Sequence, residues 1–126
     1  MYTNLMGNFP VRSIGGYTTF LILYDWTTNA ILVTPVKDAS DESMVEALKK
    51  HIEYLAEQGF KPVFNVIDNV ALKDIRAYLK EAKVGIQLVD HRDHRENPAE
   101  KAIQIFKDHS MSRLCIGDCN FLTVLW

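Results

Sequence analysis

The chain has 126 residues, the size of a single domain with a hydrophobic core of its own. Its net charge of −2 is not the excess of lysine and arginine that a free-standing nucleic-acid-binding protein usually carries. No apolar run approaches the ~20 residues that a transmembrane helix needs, and the chain has only 2 cysteines. Composition therefore favours one globular domain in a reducing compartment, with no membrane partner.

The first part of the chain carries strand signals interrupted by a turn. Residues 2–6 are a candidate first strand, residues 17–24 (YTTFLILY) are β-branched and aromatic, and residues 30–36 (AILVTPV) repeat that character. Residues 25–29 (DWTTN) have turn chemistry, so the strands on either side are predicted to form a hairpin. Pro35 indicates that the last of these strands lies at a sheet edge, because proline lacks the N–H that an interior strand donates.

Helices and strands alternate in the rest of the chain. Apolar residues spaced three and four apart predict helices over residues 43–58, 71–82 and 98–111. Two short apolar strands, residues 62–67 and 84–89, lie between them. The first three strands favour an antiparallel meander, and the later alternation implies parallel crossovers. The predicted class is therefore α/β, with a mixed five-stranded sheet flanked by helices.

Three residues with side-chain oxygens occupy positions that such a sheet can bring together. Asp68 follows a buried strand, Glu100 lies in the first turn of the last helix, and Asn4 lies near the end of the candidate first strand. Open α/β sheets bind ligands at the carboxyl ends of their strands, and Mg²⁺ prefers oxygen ligands. The ordinary interpretation is that the aspartate is a turn residue or helix cap and that the glutamate favours the helix dipole.

The segments around these residues resemble the integrases of retroelements. Asp68-Asn69 after PVFNVI is similar to the motif that carries the second acid of those enzymes. NPAE, ending at Glu100 and followed by KAIQIFK, is similar to the helix that carries their third acid in copia-type integrases. The spacing of 32 residues between the two acids and the hairpin turn at Tyr24-Asp25 also agree with that family, and the similarity runs from Thr3 to Trp126.

The resemblance implies an integrase catalytic core of the RNase H-like fold over residues 1–126, as a fragment of a longer polyprotein. The implied chemistry is polynucleotidyl transfer dependent on Mg²⁺ or Mn²⁺, in which DNA 3′ ends are processed and joined to target DNA. Asp68 and Glu100 would be the metal ligands. A protein of this family would act inside the cell on nuclear DNA, as a homodimer or a higher oligomer.

Asn4 is the one departure from the family pattern, which has an aspartate at the first of the three catalytic positions. A carboxamide is neutral and offers one ligand oxygen together with an NH₂ donor, so it cannot replace a carboxylate that bridges two metal ions. Strand transfer by this chain is therefore in question. The sequence does not distinguish an engineered substitution from natural decay.

Further residues are implied in DNA contact by the same resemblance: Asn69, His94, Arg95, Asn97 and Lys101. The charged stretch DHRDHRE that contains two of them is equally typical of a solvated loop. A zinc site built from its two histidines with Cys115 and Cys119 is disfavoured, since a predicted helix separates the two pairs. Asp25 and Asp38 are predicted to be turn and cap residues, and His109 to face inward on the last helix.

Two other functions remain open. One is a domesticated, non-catalytic RNase H-like module that binds DNA or associates with itself; Asn4 favours it, while Asp68 and Glu100 disfavour it. The other is a different nuclease of the same fold, which would need another acid late in the chain. Asp118 in IGDCN is the candidate for that acid, and its neighbours are typical of a loop.

Overall fold

A mixed five-stranded sheet forms the centre of the computed structural model, which describes residues 1–7, 11–68, 73–89 and 98–116. The strands lie in the order β3-β2-β1-β4-β5. β1, β2 and β3 are antiparallel neighbours, while β4 is parallel to β1 and β5 is parallel to β4. The predicted architecture is confirmed. The strands are β1 (Tyr2–Leu5), β2 (Thr19–Asp25), β3 (Ala30–Val36), β4 (Phe64–Asp68) and β5 (Gly85–Val89), and the helices are α1 (Asp41–Glu57), α2 (Lys73–Glu81) and α3 (Pro98–Ile116).

The sheet separates two hydrophobic clusters, because successive side chains of a strand point to opposite faces. The face that α1 and α2 cover holds the larger cluster, which includes Leu21, Leu23, Leu48, Leu55, Ile67, Ile75 and Leu79. On the other face α3 packs Ala102 and Ile103 against Met6 and Ile22. Farther along α3, the Phe106 ring meets Phe20 edge-on, with ring centroids 5.1 Å apart.

Local polar contacts set the turns and helix starts. Asp25 accepts hydrogen bonds from the backbone N–H and the hydroxyl of Thr28, which confirms it as a turn residue. Asp38 accepts from the N–H of Ser40, and Ser40 is itself the N-cap of α1. α1 begins at Asp41, directly after its N-cap Ser40 and two residues before the predicted start, and Asp38 bonds to the cap residue and does not cap the helix itself.

α3 corrects one prediction about its inward face. His109 is exposed, although the sequence predicted that it faces the sheet. A helical turn takes 3.6 residues, so the side that faces the sheet recurs after three or four residues. After Phe106 it recurs at Ser110, four residues on, which is half-buried. The helix also continues to Ile116, beyond the predicted end near residue 111.

A buried histidine joins α1 to the edge of the sheet. His51 is 4% exposed, and its Nε2 lies 2.8 Å from the Oγ1 of Thr34 in β3. Among the described residues, its Nδ1 has no hydrogen-bond partner. Burial lowers the pKa of His51 to about 4, because the imidazolium form would be poorly solvated there. The folded protein therefore holds this side chain neutral at pH 7.

We expect the protein to lose stability in mild acid through His51. The unfolded chain binds a proton at this histidine near pH 6.5, and the folded chain binds it only near pH 4. The free energy of unfolding therefore has its full value above pH 6.5 and decreases as the pH falls from 6.5 to 4. The loss should be about 2 kcal/mol at pH 5. Urea unfolding at pH 7.5 and pH 5 measures it.

The control is the exposed His109. His109→Gln should keep the full loss of stability between pH 7.5 and pH 5, whereas His51→Gln should remove most of it. Equal pH dependence of the two variants would contradict the assignment to His51.

Candidate functional site

Asn4 and Asp68 occupy neighbouring positions on adjacent parallel strands. Thr3 of β1 is in register with Ile67 of β4, and Asn4 and Asp68 are each one residue further along. Parallel strands lie about 4.8 Å apart, so the two backbone positions are close. Ile67 belongs to the cluster under α1 and α2, so alternation assigns position 68 to the face that α3 covers. Asn4 lies on that same face, two residues before Met6.

The backbone hydrogen bonding between β1 and β4 gives way to a side-chain hydrogen bond at Asn4. The N–H of Met6 donates to Phe20 of β2 at 2.9 Å, and the carbonyl of Met1 accepts from Val66 of β4 at 2.9 Å. Even-numbered residues of β1 therefore bond to β2 and odd-numbered residues face β4. The N–H of Leu5 faces β4 beyond the last registered pair, and the Oδ1 of Asn4 accepts it at 2.8 Å. This side-chain oxygen thus satisfies the backbone where the β1–β4 ladder ends.

Glu100 lies in the first turn of α3, at the flank of the side that meets the sheet. Its neighbour Ala99 is fully buried, and Glu100 itself is half-buried. Lys101, the next residue, is exposed. The packing of Ala102 and Ile103 against the sheet fixes how the start of this helix is placed.

Several residues of the predicted site lie outside the described residues. They are Asn69, His94, Arg95 and Asn97, together with the zinc alternative's His91 and Cys119 and the late acid Asp118. Asp68 is described only by its backbone position, as the last residue of β4. These roles remain predictions.

The side chains predicted for the site, those of Asn4, Asp68 and Glu100, fit a hard cation in part. Two carboxylates and one amide oxygen are all oxygen ligands, which Mg²⁺ prefers. The amide oxygen of Asn4 already accepts a backbone hydrogen bond, which leaves it one lone pair for a metal ion. Within the part of the chain that the structure describes, no three side chains of His, Cys, Asp or Glu form a group that could hold a metal ion.

A buried polar pair that the sequence did not single out lies just below these positions. The hydroxyl of Thr3 donates to the Oδ1 of Asn65 at 2.9 Å, and both residues are 0% exposed. The pair links β1 to β4 on the face opposite Asn4. Only the asparagine in the middle of the apolar run PVFNVI hints at it.

Within the described residues, no helix is long and apolar enough to span a membrane. No protein-family model matches the chain. A search of curated proteins also finds no match.

Solved structures do match, over almost the whole chain. The HTLV-2 integrase catalytic core domain in complex with magnesium (dimeric form) has a TM-score of 0.68 at 14% identity and covers 98% of this chain and 76% of its own. The trimeric form has a TM-score of 0.69 at 16% identity, with 98% and 74% covered. A chain of the simian T-cell lymphotropic virus intasome in complex with PP2A regulatory subunit B56 gamma has a TM-score of 0.75 at 10% identity, with 97% and 42% covered.

At these identities the matches establish the fold and not the activity. The strand order, the switch from antiparallel to parallel pairing after β1 and the three helices agree with an integrase core. The chain therefore has the RNase H-like fold of retroviral integrase catalytic cores.

Proposed function

We propose that this chain is an integrase-type polynucleotidyl transferase core with a weakened metal site. Asp68 and Glu100 would hold a divalent cation, and Asn4 stands at the position of the missing third acid. The observation that carries the proposal is the register of β1 with β4, because it brings positions 4 and 68 next to each other on one face.

The position of Glu100 along α3 supports the same site. Glu100 precedes Phe106 by roughly 9 Å of helix, and Asn4 precedes Met6 by roughly 7 Å of strand. Phe106 packs on Phe20, which lies opposite Met6 on the neighbouring strand. With α3 running along the sheet in the same direction as β1, which is part of the proposal, Glu100 would lie at about the level of Asn4.

The chemistry expected of the site follows from its charges. A bound divalent cation supplies activation of the attacking hydroxyl and neutralises charge on the phosphate. Asp68 and Glu100 would hold and orient that cation with two negative charges, one fewer than a set of three acids. Asn4 adds a neutral oxygen that also holds the N–H of Leu5. The chain itself should therefore retain one weak cation site and lack the bridge that a two-cation site needs.

The proposed partners are DNA and further copies of the chain. The HTLV-2 cores were solved with magnesium in dimeric and trimeric forms, which supports Mg²⁺ and self-association here. Exposed Lys101 lies beside Glu100 and is the described residue best placed to contact a phosphate. The substrates would be the DNA ends of an element and nuclear target DNA.

A second candidate is a non-catalytic module that binds DNA or associates with itself. The specific observation in its favour is the Asn4–Leu5 hydrogen bond, which gives this side chain a structural role without a metal ion. A metal titration separates the two functions, because a purely structural Asn4 has no part in cation affinity.

We expect Asn4→Asp to strengthen metal binding by about tenfold, since the affinity of hard cations rises with carboxylate number. Saturating Mg²⁺ should then stabilise the variant by about 1.4 kcal/mol more than the parent chain, or about 5 °C in Tm. Without metal the variant should melt slightly lower, because three carboxylates repel each other. Thermal melts over a Mg²⁺ series measure all three effects. If the variant binds the cation more tightly, it should also show nicking or strand transfer of DNA.

The matched control is Asn29→Asp, which adds the same charge in the β2–β3 turn. Asn29 has a positive φ of 58° and accepts a hydrogen bond from the Tyr24 hydroxyl, both of which an aspartate tolerates. Its melting temperature should respond to Mg²⁺ as the parent does. An equal response of the parent and of Asn4→Asp would remove Asn4 from the metal site.

DNA contact at the start of α3 gives a separate prediction. Lys101→Ala should weaken binding of duplex DNA and reduce the slope of log affinity against log salt by about 1, since one phosphate contact is lost. Lys80→Ala removes an exposed lysine from α2, on the opposite face, and should change neither quantity. Fluorescence anisotropy across a salt series measures both. Identical salt slopes for the two variants would contradict a DNA contact at Lys101.

A further inference from the structure

Four aromatic side chains form a row across the sheet at the end where β1 begins. Tyr2 of β1 stands opposite Tyr24 of β2, with ring centroids 6.5 Å apart. Tyr24 in turn packs edge-on against Trp26, with ring centroids 6.1 Å apart. On the other side of β1, Phe64 begins β4, and its ring lies against Gly85 of β5. This aromatic row, Trp26, Tyr24, Tyr2 and Phe64, therefore reaches across three adjacent strands.

The aromatic row lies on the same face of the sheet as the candidate site. Alternation along β1 assigns Tyr2 to the face of Asn4, and Tyr24 packs against the cluster beneath α3. Alternation along β4 assigns Phe64 to that face as well, because Ile67 belongs to the opposite cluster. Asn4 is two residues beyond Tyr2, or roughly 7 Å along the strand. That length equals about two stacked nucleotides of one DNA strand, at ~3.4 Å each.

The outer rings of the aromatic row are open to solvent. Trp26 is 67% exposed and Phe64 is 43% exposed, while Tyr2 and Tyr24 are half-buried between them. The edge-on contact with Tyr24 orients the indole of Trp26, and an indole exposed to this extent keeps an open face. Aromatic side chains on a sheet surface can stack unpaired bases, because every base has a π face. The row therefore has the geometry of a stacking surface.

Charge in the adjoining loops favours nucleic acid over a peptide. Three loops border the aromatic row at this end of the sheet: residues 26–29, 58–63 and 82–84. Their only charged side chains are Lys61 and Lys83, and both are exposed. Asp25, which precedes the first loop, is 6% exposed, and Glu57 and Glu81 end the helices that cover the opposite face. Two lysines suit the phosphates of a nucleic acid, whereas an uncharged apolar or proline-rich segment gains nothing from them.

We propose that the aromatic row stacks unpaired bases of a DNA strand whose phosphate lies at the candidate site, with Trp26 as the principal ring. The proposal rests on the proposed function, since it names how that site would hold one strand of its DNA. Lys61 and Lys83 would contact phosphates of the same strand. Stacking is largely independent of base identity, so the row positions the strand and does not select a sequence.

Two single strands separate base stacking from charge. A thymidine strand and an abasic strand of equal length carry the same phosphates, and only the first has bases. Without divalent cations, the parent chain should bind the thymidine strand at least about tenfold more tightly, and Trp26→Ala should remove most of that preference without weakening the abasic complex. Lys61→Ala should weaken both complexes equally. Tyr54→Ala removes a ring that is 50% exposed on α1, over the opposite face, and should change neither. Fluorescence anisotropy measures all of these affinities.

The comparison of the two strands uses the parent chain, so it gives an answer even if Trp26→Ala does not fold. A parent chain that binds both strands equally, or neither, overturns the proposal. So does a Trp26→Ala variant that keeps the preference for bases. A proline-rich peptide that competes with the thymidine strand and binds more tightly would assign the row to a protein partner instead. Because no cation is present, the preference for bases and the Mg²⁺ response of Asn4→Asp can each fail alone.

Discussion

The placement of β1 is the constraint on which the rest of the structure depends. This strand of 4 residues is antiparallel to β2 on one side and parallel to β4 on the other. Its bond from Thr3 to Asn65 joins the two parallel strands within the core, where a misplaced register would leave both polar side chains unpaired and buried. Parallel pairing makes β1 and β4 end at the same side of the sheet. Positions 4 and 68 therefore lie on neighbouring strands, each one residue beyond the last registered pair.

Asn4 has a role in the fold that is separate from the chemistry proposed for it. Its oxygen accepts the Leu5 N–H where the ladder to β4 stops, so a hydrogen-bond acceptor is useful there whatever the protein does. An aspartate has two oxygens, one for that N–H and one for a cation. An asparagine keeps the first role and, being neutral, performs the second poorly. On the proposed function, an amide at position 4 would therefore preserve the strand end and leave the site with less negative charge.

The sequence predicted those features that local chemistry determines. The β3 boundaries and the edge position of Pro35 were correct, because β-branched residues and a missing N–H act within one strand. Features that depend on tertiary partners were not predictable. No local sequence pattern predicts that His51 contacts the hydroxyl of Thr34 or that Asn65 accepts a hydrogen bond from Thr3. Nor does one predict that His109 lies outside the buried stripe of α3. The assignment of Asp68 and Glu100 to a metal site depended on the resemblance to integrases, because each residue alone is equally typical of a turn or a helix start.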